Sequence, residues 1–140
     1  GDLISPWADV KMDVHDIPFE ENSFDVVICN HVLEHVDDSN KVMREFYRVM
    51  RPGGWGIFQV PIDNNNPNTI EDKSVTDPKE RERLYWQSDH LRLFGRDYGD
   101  RLSKAGFKVT ESDYINELDP KLVERYALPK NEKVYFCEKI

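Results

Sequence analysis

At 140 residues, 39% of them hydrophobic and 33% charged, the chain suits one globular domain spanning 1–140 that buries roughly 70% of its unfolded surface, which excludes wholesale disorder and repeat architectures. A net charge of -8, with a pI near 5.0, repels phosphate backbones and argues against bulk nucleic-acid binding. No apolar run approaches the ~20 residues that cross a bilayer, and the first residues lack the basic and apolar regions of a secretory signal, so a soluble cytosolic domain without membrane contact is expected.

In chain order, Ala8–Val14 alternates like a short strand, and Ile17-Pro18-Phe19 with Glu20–Ser23 makes a stiff connection and a polar turn. Phe24–Cys29 is a β-branched run with little alternation, the pattern of a strand covered on both faces in the middle of a parallel sheet. Asp38 and Ser39 offer N-caps for a helix whose apolar face is Val42, Met43, Phe46, Tyr47, Val49 and Met50. Pro52-Gly53-Gly54 ends it, and Trp55–Ile62 reads as a strand with Gln59 as its one strongly polar residue.

Asp63–Asp77, with three asparagines in a row, reads as a long polar surface loop. Asp77-Pro78 supplies an N-cap and a proline at the first helical position for a charged helix to about Gln87. A further helix over Arg96–Lys104 stops at Gly106. A strand over Phe107–Tyr114, a short helix opened by Asp119-Pro120 and a last strand over Lys133–Glu138 follow. Strands alternating with helices define an α/β sheet, and the brief connection between the last two strands suits an antiparallel pair. Cys29 and Cys137 sit in apolar strand-like runs, as buried free thiols do in a reducing compartment.

Four blocks then occur in order. Asp13–Phe19 with Asn22–Val27 resembles the link between the third and fourth strands of class I S-adenosylmethionine-dependent methyltransferases, of the methyltransferase type 11-like group. Asn30-His31-Val32-Leu33-Glu34-His35-Val36 is similar to that family's segment after the fourth strand. Glu45–Gly54 resembles its helix and exit to strand five, and Asp89-His90-Leu91-Arg92 with Ala105-Gly106-Phe107 fits the same group. The resemblance implies a partial Rossmann-like sheet, mostly parallel with an antiparallel C-terminal pair, and S-adenosylmethionine as cofactor. The family's first strand and its Gly-x-Gly-x-Gly loop have no match, because the only glycine before Gly53 is Gly1. The chain is therefore expected to begin just after that part, as a truncated product that is inactive alone, and the unpaired edge of strand four favours a homodimer.

The resemblance also assigns the site. Asp2 is the acid that would bind the ribose hydroxyls. Asp13 would accept from the adenine amino group while the Val14 N–H donates to the ring, and Asn30 lies at the next strand end, where doubly wound sheets bind ligands. Methyl transfer needs positioning and a base where the acceptor, expected to be a small molecule, loses a proton. His35 and His31, which flank Glu34, are the candidates; His90 reads as structural. Trp7, Trp55 and Trp86 could frame an acceptor pocket, though aromatic residues are mostly core.

Two rivals from other classes stand beside this reading. His31-Val32-Leu33-Glu34-His35 matches the H-x-x-E-H pattern of a zinc peptidase, which needs a helix to place both histidines on one face, whereas here it follows a strand directly. The chain could also be a non-catalytic interaction or degenerate module. No metal ligand is assigned, although His31, Glu34 and His35 together could hold a divalent ion, as a similar segment does in some quinone-pathway O-methyltransferases.

Overall fold

The computed structural model describes residues 1–129 and 132–140. Its elements are β1 (Phe24–Asn30), α1 (Ser39–Val49), β2 (Met50–Gln59), β3 (Ile70–Glu71), α2 (Pro78–Tyr85), β4 (Arg92–Leu93), α3 (Tyr98–Lys104), β5 (Lys108–Ser112), a 3-10 turn (Tyr114–Glu117), α4 (Pro120–Arg125) and β6 (Val134–Glu138). Four strands form one sheet in the order β1-β2-β6-β5. β1 and β2 are parallel, while β6 is antiparallel to both of its neighbours. Three strands thus run one way and β6 alone is reversed, which is the mostly parallel sheet with an antiparallel C-terminal pair that the sequence implied.

Helix α1 forms where its caps and stripe require. Asp38 accepts from the Lys41 N–H at the N-terminus, and Val42, Met43, Phe46 and Val49 are all buried against the sheet. Phe46 stacks on Phe58 of β2, and Phe58 meets Phe107 just before β5, so one cluster ties helix to sheet. At the C-terminus, Lys139 Nζ donates to the carbonyls of Tyr47 and Met50, satisfying groups the helix leaves open. Asp77 and Asp119 cap α2 and α4, each followed by proline as expected.

Five expectations are corrected. Ala8–Val14 does not form a strand; a single parallel bridge joins Lys11 to Asp2, because no partner strand in the described sheet runs beside it to accept its ladder. β1 is not covered on both faces as its apolar run suggested: Val26 (39% exposed) and Ile28 (62%) face outward, and the strand lies at the sheet edge, as the unmatched first strand implied. The strand after α1 starts at Met50 rather than Trp55. Pairing steps from Phe24–Met50 to Val26–Trp55, so Pro52-Gly53-Gly54 arches out as a bulge within β2, with Gly53 at φ +80.

Asp63–Asp77 is not a free loop. Ile70 and Glu71 pair with Leu93 and Arg92, Asp97 Oδ1 accepts from both the N–H and the hydroxyl of Thr69, and Gly95 packs so tightly on Asn66 and Asn68 that a Cβ would not fit. Nor do the tryptophans gather: Trp55 stacks on Phe136, whereas Trp7 and Trp86 are exposed. Gln59, the odd polar residue of β2, accepts from the Tyr135 N–H and donates to the Lys133 carbonyl, joining β2 to β6. Both cysteines are free and buried, and burial pushes each thiol up to about 12, which makes them inert at neutral pH.

A polar clamp holds the connection before β1 to α1. Glu45 accepts from Arg48 and from the Ile17 N–H, and Arg48 donates on to the carbonyls of Ile17 and Phe19. The Arg48 hydrogen bonds, first of all, hold the Glu45 carboxyl below its ordinary value of 4.5. A carboxyl depressed on folding contributes stability above its unfolded value and loses it as pH falls through the folded one. Glu45→Gln is therefore expected to flatten the loss of stability below pH 4.5. Urea unfolding of both proteins between neutral and acid pH checks this, and identical slopes would remove Glu45 from the acid transition.

Candidate functional site

The carboxyl end of β1 is where the chemistry-bearing residues collect. Asn30 ends the strand, and His31 continues the ladder by donating its N–H to the Gln59 carbonyl before turning at φ 56, a conformation uncommon for a non-glycine residue. The chain then folds through turns to Asp38 rather than through a helix. The H-x-x-E-H run thus lacks the helical face that a zinc peptidase uses.

Turn geometry nevertheless brings its polar groups together. Glu34 is only 1% exposed. His31 Nδ1 lies 3.3 Å from Glu34 Oε1, and His35 Nε2 lies 3.9 Å from the same oxygen. His31 stays open to solvent, its side chain 59% exposed, whereas His35 is 34% exposed and has Nδ1 3.3 Å from Asp89 Oδ2. His90, read from sequence as structural, is buried with Nδ1 at 2.8 Å from the Tyr85 carbonyl, and its ring meets that of His35 edge to face at 4.7 Å.

Arg92 holds this segment in place. Its buried guanidinium donates through Nη1 to the carbonyls of Leu33 (2.7 Å) and Val36 (2.5 Å), and through Nη2 to that of Asp37 (3.0 Å) and to Glu71 (3.2 Å). Sequence reasoning quoted Asp89-His90-Leu91-Arg92 as a block but missed that it faces the Glu34 turn. The available signal was the i, i+2 spacing of His90 and Arg92 beside the apolar Leu91, Leu93 and Phe94.

The expected cofactor residues are divided. A hollow of about 530 Å³ opens along β1 and is lined by Val14, Ile17, Val27, Cys29, Asn30 and Val32 among others. Its size falls in the usual range for a small-molecule site. Val14 and Asn30 are both among its lining residues. Asp13 is not among its lining residues; Asp13 Oδ1 accepts from the His15 N–H (2.8 Å) and meets His15 Nδ1 at 2.7 Å, bonds that hold its carboxyl below the ordinary range. Asp2 Oδ1 caps a turn by accepting from the Ser5 and Ile4 N–H groups, which likewise lowers its carboxyl. Neither aspartate lies at the end of a sheet strand, because the chain from Asp2 to Val14 forms bends, short turns and a single Asp2–Lys11 bridge.

Strand order and the reversed β6, with a hollow along β1, match the class I methyltransferase fold. Comparison with known proteins agrees with this fold: residues 5–58 match the family model described as "Methyltransferase domain". It is 30% identical over 125 residues to sterol 24-C-methyltransferase of Schizosaccharomyces pombe, a match covering 85% of this chain and 31% of that protein. It is 36% identical over 67 residues to a ubiquinone biosynthesis O-methyltransferase of Bordetella avium, covering 44% and 27%. Among solved structures, the Burkholderia thailandensis 1,6-didemethyltoxoflavin-N1-methyltransferase with bound S-adenosylhomocysteine superposes with a TM-score of 0.59 at 15% identity, covering 93% of this chain and 49% of that one. The chain spans about a third or less of these two curated relatives. No helix among the described residues is long and apolar enough to cross a membrane.

Proposed function

We propose that this chain serves S-adenosylmethionine-dependent methyl transfer to a small-molecule acceptor in the cytosol, forming the adenine side of the cofactor site and the wall facing the acceptor. The observation that carries this reading is the hollow along β1, with Val14 and Asn30 on its lining, in a sheet of methyltransferase order. The fit to the cofactor is one-sided. An apolar hollow lined by Val14 and Asn30 is present, whereas no glycine-rich loop in this sequence supplies backbone N–H groups for the methionine end.

When bound, the cofactor supplies an electrophilic methyl group on sulfur. The chain's own residues would then orient and deprotonate. Val14 and Asn30 border the adenine, Asp13 reaches it only by leaving His15, and Asp2 reaches the ribose only by opening its turn. His31 is the better placed of the two candidate bases, because it is exposed and aligned by a buried carboxylate, while His35 is held between Glu34, Asp89 and His90. The exposed edge of β1, with Val26 and Ile28 outward, pairs with a second copy of the chain in this reading.

Titration calorimetry and light scattering on the chain test both parts. A dissociation constant no tighter than about 1 mM, on the order of -4 kcal/mol, and a dimer are expected. Micromolar affinity in a clean monomer would overturn the assignment of what the site lacks. The competing reading, a non-catalytic module, draws on the absent glycine-rich loop. Adding a glycine-rich strand and loop in trans or by fusion separates the two, since only the enzymatic reading expects turnover to appear.

A further inference from the structure

Three buried side-chain atoms have no hydrogen-bond partner among the described residues: Glu34 Oε2, His90 Nε2 and Arg92 Nε. Unpaired buried polar atoms cost free energy and ask for an unseen partner. The first two belong to a group in which one ligating atom each from Glu34, His35 and His90 lies within 4.8 Å of the others.

The outer contacts of this group follow the pattern of metal-binding histidines, which pass their second ring N–H to a carbonyl or carboxylate. His90 Nδ1 is 2.8 Å from the Tyr85 carbonyl, which leaves the Nε2 lone pair free and buried. His35 Nδ1 is 3.3 Å from Asp89 Oδ2, which aims Nε2 toward Glu34. Arg92 locks the Leu33–Asp37 turn that carries two of the three ligands, and the Leu91 N–H donates to the Glu34 carbonyl, so the two halves of the site are fixed to each other.

We propose that Glu34 Oε2, His35 Nε2 and His90 Nε2 bind one divalent transition-metal ion. Two imidazoles and one carboxylate suit zinc, cobalt or ferrous iron and not magnesium or calcium, which take oxygen ligands. A tetrahedral ion with bonds of ~2.0–2.1 Å needs ligand atoms roughly 3.4 Å apart, so the side chains close by little more than about 1 Å. Methyl transfer does not require this ion, and the site stands or falls independently of the cofactor reading. It differs from the His31, Glu34 and His35 group that the sequence left open, since the more exposed His31 gives way to the buried His90.

The test uses Zn²⁺ and Co²⁺ on protein purified without a metal-affinity column and stripped with chelator. One equivalent of Co²⁺ is expected to give visible ligand-field bands, and Zn²⁺ to displace it while raising the melting temperature. His90→Ala and Glu34→Gln should each weaken Zn²⁺ binding by about 100-fold or more, a loss at least as large as outer-contact mutations cause. Should either variant misfold by circular dichroism, His35→Ala, at a partly exposed position, gives the same readout. Featureless Co²⁺ spectra, Mg²⁺ binding as tight as Zn²⁺, or variants that bind Zn²⁺ like the wild type would overturn the site and leave a water or a shared proton between Glu34 and His90.

Discussion

Arg92→Met is expected to lower the unfolding free energy by about 3–5 kcal/mol, the scale of breaking a buried charged network. The guanidinium is 1% exposed and serves three carbonyls, those of Leu33, Val36 and Asp37, together with Glu71. A methionine fills much of the volume but leaves the carbonyls without donors, each costing about 1–3 kcal/mol when buried. Lysine is a poor substitute, since one ammonium cannot span two parallel rows of acceptors as a planar fork does. Urea unfolding measures the effect, and a loss under about 1 kcal/mol would mean that the turn holds itself without Arg92. Because this turn carries Glu34 and His35, any surviving fold should also show a disordered site.

In a methyltransferase that joins this segment to a complete cofactor loop, His31→Ala should reduce kcat by about 10²–10⁴-fold with little change in cofactor affinity, the range for losing a general base. The expectation rests on an exposed imidazole held by a buried carboxylate at 3.3 Å, at a strand end where the backbone adopts φ 56. A positive φ at a non-glycine residue costs free energy that the fold must recover elsewhere, and such residues cluster at functional sites. Turnover within about threefold of the parent would assign His31 to the surface and shift the base role to another group.

Local signals made much of this molecule legible from its residues alone. Asp38, Asp77 and Asp119 cap helices because a short acceptor side chain next to a helical run has one obvious use, and the α1 stripe faces the core because apolar residues recur at its turn. The alternation of strands and helices gave the α/β sheet, the brief connection before the last strand gave its reversal, and the four motif blocks gave the methyltransferase resemblance; strand pairing bears out the first two, and a family model matches residues 5–58.

What the sequence could not decide depended on partners distant along the chain. Ala8–Val14 alternates like a strand, yet a strand exists only where another completes its hydrogen bonds, and the described sheet ends at β1. The polar stretch Asp63–Asp77 reads as loop by composition, yet Ile70 and Glu71 pair with β4 and Thr69 docks on Asp97. His31, Glu34 and His35 were visible as a group because they are neighbours in sequence. That His90 completes the buried cluster, and that Arg92 fastens the turn from 59 positions away, was decided by the return of β4 beside the Leu33–Asp37 turn. Sequence fixes what each residue can donate or accept; only the packed chain decides which of those groups meet, because burial removes water as the alternative partner.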